Sequence, residues 1–190
     1  MSLSIYTHTH THKKMPNWSL NKFSVKGTTE DMAVFYAAAL CPMNEFKFAN
    51  IFPMPAILKN TVSPTRSAHN FPEAENNTPE KCARLIEAYG ADNWYDWNSA
   101  TYGTKWDLQE AMITQKTDVL FECHFKTAWA PPYTFLQRLQ NKYPNLKLSL
   151  WYCVEADPDN MGLFETIANG ATGEKTIGYT KLEGEENEEK

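Results

Sequence analysis

A chain of 190 residues, 42% apolar and 13% aromatic, has the size and composition of one globular domain with a substantial core. No run approaches the roughly 18 consecutive apolar residues needed to cross a bilayer, so the sequence offers no candidate membrane-spanning helix. The net charge of −5 is uneven: an acidic tail at −4 (183–190) and a leader at +2 (1–15) leave −3 for the body, against the broad basic footprint of a nonspecific nucleic-acid binder.

Residues 1–14, with His8, His10 and His12 alternating with Thr, read as a disordered leader. They lack an apolar signal core, and Met15 reads as the structural start, so the expectation is a cytoplasmic protein. Residues 17–25 alternate as a first strand, with Trp18, Leu20 and Ser24 on one face, Phe23 and Val25 nearby, and Gly27 at its end. Thr28 or Thr29 then caps a helix over 29–40, with Glu30 and Asp31 in its first turn and Pro42 beyond its stop. Pro53 and Pro55 forbid a central strand in 46–58, which reads as an extended or edge segment leading out of the core. Residues 60–77 read as a polar excursion, and a second helix begins at Thr78-Pro79-Glu80 and ends at a left-handed Gly90.

Residues 93–107 place three Trp and two Tyr in fifteen positions with no sustained period, which predicts a structured loop. A hairpin follows over 105–126, turning at 115–118, with Phe121, Cys123 and Phe125 marking an apolar face on its second arm. Pro131-Pro132 opens a third helix to residue 143, and 146–155 is a mostly buried strand. Residues 163–167 and 176–179 pair as a terminal hairpin around Asn169-Gly170, and the glycines of 170–176 read as a turn because the Gly-Lys-Thr adjacency of a phosphate loop is missing. The order β-α-insertion-β-β-α-β predicts an α+β, ferredoxin-like split βαβ domain over 15–182: an antiparallel sheet, two helices on one face, and a helical and loop insertion at about 46–104, between the first helix and the central hairpin. Cys41, Cys82, Cys123 and Cys153 form no C-x-x-C pair and read as reduced, buried thiols, so neither an iron–sulfur cluster nor a zinc site is expected.

The ordered succession Met15-Pro-Asn-Trp18, Pro53-Met-Pro55, Asn93-Trp-Tyr-Asp-Trp97, Gly103-Thr-Lys-Trp-Asp107 and Thr127-Ala-Trp129 with Pro131-Pro132 resembles the YubB-type, Api-like proteins of phages and plasmids. The resemblance extends over about 15–155. It implies a ferredoxin-like domain in a small accessory protein of a mobile genetic element, acting in a bacterial host, with no established biochemical activity. Ser19 stands where the family commonly has Cys, Tyr102 where it has Trp, and Glu155-Ala-Asp157-Pro158 replaces its usual stretch after the last core strand.

Three functional readings follow. The first is a non-enzymatic protein that binds a host or element-encoded protein through an aromatic cleft built from Trp94, Trp97, Tyr102, Lys105, Trp106, Asp107 and Trp129. Most of these rings are expected to cluster and bury the insertion, because Trp is costly to expose in numbers, which leaves Tyr102, Lys105 and Asp107 as the accessible groups. The second is stacking of a nucleic acid or nucleotide on Trp97, Tyr102 and Trp129, with Lys105 at a phosphate. The third is a metal-dependent hydrolase assembled from Asp96, Asp107, Glu122 and His124. No catalytic residue, cofactor or resident metal is assigned.

Overall fold

The computed structural model describes residues 17–63, 78–170 and 173–182. The expected leader, the acidic tail and most of the polar excursion lie outside these residues. Six strands, β1 (Trp18–Lys26), β2 (Gln109–Lys116), β3 (Leu120–Ala128), β4 (Lys147–Val154), β5 (Asp157–Ala168) and β6 (Lys175–Leu182), form one sheet in the order β2-β3-β1-β4-β5-β6. Every neighbouring pair is antiparallel. The protein is therefore a mixed α/β fold on a six-stranded antiparallel sheet, whose order is not that of a simple ferredoxin-like sheet. The terminal hairpin, expected to be short, grows to strands of 12 and 8 residues and widens the sheet.

The helices are α1 (Thr29–Ala39), α2 (Phe48–Ile51), α3 (Pro79–Tyr89), α4 (Trp94–Tyr102) and α5 (Tyr133–Lys142). Helix α1 starts where Thr28 Oγ1 accepts from Asp31 N, and α3 where Thr78 Oγ1 accepts from Lys81 N, both as the capping residues predict. Glycine at 90 ends α3 with φ 77°. Helices α2, α3 and α4 all belong to the insertion between α1 and β2, which was expected to mix helix and loop. Phe35 from α1, Phe48 from α2, Tyr102 from α4 and Phe135 from α5 join one buried cluster with Phe23, Phe121, Leu150 and Phe164 from the strands.

Three local expectations are overturned. In β1 the buried side chains are Ser19, Asn21, Phe23 and Val25, so Trp18, Leu20 and Ser24 face outward. The polar pair is tolerated inside because Asn21 Nδ2 donates to Ser19 O (2.8 Å) and to Thr127 Oγ1 (3.0 Å). Segment 46–58 enters the core instead of leaving it: Phe46, Phe48, Ile51 and Leu58 are buried, and the Phe48 ring stacks on Phe135 at 4.0 Å. Its prolines forbid a strand, as expected, but a short helix and a 3₁₀ turn place the apolar side chains inward. Residues 94–102, expected as loop, are helical. Asn93 Oδ1 accepts from Asp96 N (3.0 Å) at one end, and Gly103 (φ 79°) closes the other.

The helical period of α4 was hidden by its polar members. Trp97, Asn98, Thr101 and Tyr102 fall at i, i+1, i+4 and i+5, a buried stripe extended by the half-buried Trp94 one turn earlier, and two of its buried positions are not apolar. The hairpin starts later than expected, at Gln109, so Lys105, Trp106 and Asp107 lie in the turn before it. Register shifts flank Met112 and Ile113 in β2, and Glu110 takes φ 51°. Among the described residues no helix is long and apolar enough to cross a membrane.

Candidate functional site

The helices cover one face of the sheet, and the strand registers define what the other presents. One transverse row crosses all six strands: Met112, His124, Lys22, Trp151, Leu163 and Thr180. The next row toward the start of β1 holds Gln109, Lys126, Leu20, Cys153, Met161 and Leu182. None of these side chains is buried. Met112 is 58% and Leu20 38% exposed, an unusual number of large apolar groups for a solvent-facing sheet surface. Toward the other end of β1 lies a row with Glu122 and Glu165, and beyond it Lys26 pairs with Lys147. A groove of about 520 Å³ runs between Leu20, Lys22, Met112, His124, Lys126 and Trp151. The Lys22 ammonium sits 5.1 Å over the Trp151 ring, and Lys126 pairs with Glu110 at 2.7 Å.

At the start of β1 this face meets a ridge of alternating rings and charge. Trp94 packs edge-on against Tyr95 at 5.8 Å. Lys105 Nζ lies 5.9 Å from the Tyr95 ring and 4.7 Å from the Trp106 ring. Trp106 in turn lies 6.3 Å from Trp18, the first residue of β1. The ridge exists because α4 ends at Gly103, whose left-handed conformation turns the chain back so that Lys105 and Trp106 lie over α4 and β1.

Of the seven residues expected at an aromatic cleft, Trp94, Lys105 and Trp106 are in this ridge. Trp97 and Tyr102 point inward instead, their rings 5.4 Å apart, and Tyr102 is only 2% exposed. The Tyr102 hydroxyl donates to Phe52 O at 2.7 Å, and burial pushes its pKa well above the usual tyrosine value. Asp107 is also withdrawn. Its carboxylate accepts from Phe48 N (2.9 Å), Ala49 N (3.1 Å) and Leu108 N (2.7 Å), tying the start of α2 to the turn before β2. Burial raises its pKa despite these donors and nearby Lys47. Of the three groups expected to be accessible, Tyr102 and Asp107 are thus structural, and Lys105 alone belongs to the ridge. Trp129 is the reverse case: 53% exposed, at φ 72°, without a ring contact to any described residue, its backbone N–H donating to Asn17 O at 2.9 Å. The expected four-Trp cluster does not form.

The hydrolase set does not converge. Asp96 accepts from Asn93 Nδ2 (2.6 Å) at the start of α4 and Asp107 is held at α2, whereas Glu122 and His124 lie on the outer face of β3. Among the described residues no three His, Cys, Asp or Glu side chains are placed to hold a metal ion. The sequence reading missed Trp18, Tyr95, Lys22 and Trp151. The alternation of 18–25 carried a signal for Trp18 once Phe23 and Val25 are recognised as the buried parity, but the pairing of Lys22 with Trp151 depends on a register between distant strands.

Trp94 also walls a separate pocket of about 370 Å³, with Pro53, Met54, Lys59, Asn98 and Tyr102 around it. Asn98 is 6% exposed; its Nδ2 donates to Lys105 O at 2.9 Å, and its Oδ1 accepts from no described residue.

Fold and site define a mixed α/β protein whose antiparallel sheet is covered by helices on one side and carries an aromatic, lysine-bearing surface on the other. No protein-family model matches the chain, and no curated protein matches it. Among solved structures it is similar to the crystal structure of protein api92 from Yersinia pseudotuberculosis, assigned to family DUF1281. The identity is 9%, the alignment covers 90% of this chain and 100% of that one, and the TM-score is 0.47.

Proposed function

We propose that the chain is a non-catalytic binding protein that docks a protein partner on the open face of its sheet, with the ridge Trp94–Tyr95–Lys105–Trp106–Trp18 as the anchor. The observation that carries this reading is the continuity of that ridge with the exposed apolar rows around Leu20, Met112 and Trp151. Trp, Tyr and Met at the centre of a surface with charges at its margin have the composition of an interface core and rim. The acidic row of Glu122 and Glu165, set between Lys22 and the Lys26–Lys147 pair, favours a partner with its own alternating charges over a polyanion laid along the strands. The strand order β2-β3-β1-β4 with α1 and α5 supports an elaborated ferredoxin-like core to which β5 and β6 are added. An accessory role for a phage or plasmid, in the cytoplasm of a bacterial host, is what the sequence resemblance implies.

The test is capture of a partner from host lysate by the wild-type chain, a Trp18→Ala/Trp106→Ala variant and a Glu87→Ala control on exposed α3. A partner held by wild type and control but weakened about 30-fold or more by the ridge variant is the expected result, since a Trp anchor contributes about 2 kcal/mol or more. Equal capture by all three sinks the reading. A second reading, a short single strand of nucleic acid on the ridge end of the face, is favoured by the two lysines lying over tryptophan rings. Quenching of tryptophan fluorescence by oligonucleotides at moderate salt, abolished in the ridge variant, would select it.

A further inference from the structure

We propose that the pocket beside Trp94 binds a small carboxylate that also bears an amide N–H and an apolar side chain, the chemistry of a peptide's C-terminal residue or of an N-acyl amino acid. The pocket shares Trp94 with the end of the ridge, but nothing in the partner-binding reading requires a small molecule there.

The first observation is Asn98. Its amide orientation is fixed, because turning it over would set Oδ1 against the Lys105 carbonyl that Nδ2 now faces at 2.9 Å. Oδ1 is therefore a buried acceptor behind the Asn98 part of the pocket wall, with no donor from any described residue, and a ligand N–H reaches it once the half-buried Trp94 and Met54 move aside. A buried acceptor left unmatched is destabilising, so a ligand N–H that reaches it gains more than it would at an exposed amide. The second observation is Lys59, an exposed cation on the same wall with no ion-pair partner among the described residues. Around these two polar groups the lining is apolar: Pro53, Met54 and the Trp94 ring. Trp94 and Met54 are only half-buried, so they yield to a ligand at small cost to the core. The volume of about 370 Å³ suits a single amino-acid residue and lies within the usual range for small-ligand sites.

Asp107 also borders the pocket, but its carboxylate is engaged by three backbone N–H groups. A ligand carboxylate is therefore repelled from that end and drawn to Lys59. With the carboxylate at Lys59 and the side chain against Trp94, the amide N–H is the group left to meet Asn98. A peptide source and a free N-acyl amino acid share this chemistry.

The test uses nuclear magnetic resonance of the full chain titrated with N-acetyl-L-phenylalanine, following the Asn98 side-chain amide and the Trp94 indole. The expected result is saturable shifts of both signals. Replacing the carboxylate by a carboxamide, or the N–H by N-methyl, should weaken binding about 5-fold or more, the size of one charge-assisted or buried hydrogen bond. Lys59→Gln, a surface change that leaves the fold intact, should weaken the acid by a similar factor and leave the carboxamide unchanged. A tetrapeptide ending in phenylalanine that binds more tightly than the acetyl amino acid identifies a chain terminus as the ligand; the reverse order identifies the free N-acyl amino acid. No saturable shift up to about 20 mM, a range that includes the weakest useful affinities, overturns the proposal and leaves Asn98 as a water-bound structural amide. Equal affinity for all analogues, or indifference to Lys59→Gln, overturns it as well. Because Trp18→Ala/Trp106→Ala leaves the pocket lining unchanged, failure here and failure of partner docking are read separately.

Discussion

Asp107 gathers three backbone N–H groups from two segments, and its removal should be felt at both. Asp107→Ala strands those donors and is expected to lower stability by about 3 kcal/mol, measured by urea denaturation. Its pH dependence has a definite sign. Burial raises the folded-state pKa above the ordinary value of 3.8, so between the two values the folded chain holds the proton more readily than the unfolded one. The stability this shift confers is complete below 3.8 and is lost as pH rises through the folded value. The advantage of wild type over Asp107→Asn should therefore shrink with rising pH across that window; an advantage that grows would refute burial as the dominant cause. Tyr102→Phe removes the hydroxyl that serves the Phe52 carbonyl and should cost about 1–2 kcal/mol in the same assay. At this scale the sequence showed which residues were chemically unusual and misjudged which were free. Tyr102 and Asp107 carry groups that look available for a ligand, yet a buried backbone close by claims both.

At the scale of elements, two glycines with nearly the same conformation allow a clean comparison. Gly90 (φ 77°) has open space where a Cβ would lie, whereas at Gly103 (φ 79°) a Cβ would stand 3.1 Å from both Thr134 N and Thr134 Oγ1. Gly90→Ala should cost about 1 kcal/mol from backbone strain alone, and Gly103→Ala should exceed it by about 1 kcal/mol or more, because Thr134 at the start of α5 cannot move freely. Equal melting shifts for the two would show that the approach to Thr134 is slack. Helices with written stop and start signals were legible from residues alone: Thr28, Thr78-Pro79 and Gly90 act on their own neighbours. Helix α4 was not, because Asn98 and Thr101 occupy its inward stripe and erase the apolar period, although its caps Asn93 and Gly103 were both in view. Segment 46–58 shows the converse: its prolines correctly ruled out a strand, but only a partner surface decides whether Phe46 and Phe48 turn inward.

For the whole molecule, the widened sheet has a consequence for stability. The Phe164 ring of β5 stacks on Tyr152 at 5.5 Å and meets Tyr133 of α5 at 5.0 Å, so β5 and β6 complete the core beside α5. Ending the chain at Glu155 should expose Tyr152 and the unpaired edge of β4, giving a species that self-associates on size-exclusion chromatography and loses its cooperative melt. A monomeric truncation with a sharp melt would show that four strands suffice. Local rules within the sequence determined most strands and helices of this protein, because caps, prolines, glycines and alternation act over a few residues. Tertiary structure alone decided which face of β1 is buried, which tryptophans remain exposed, and that Trp106 meets Trp18 while Lys22 lies over Trp151. Those contacts join positions 88 and 129 residues apart, and their register is set by how the whole core closes, a condition no short stretch of sequence encodes.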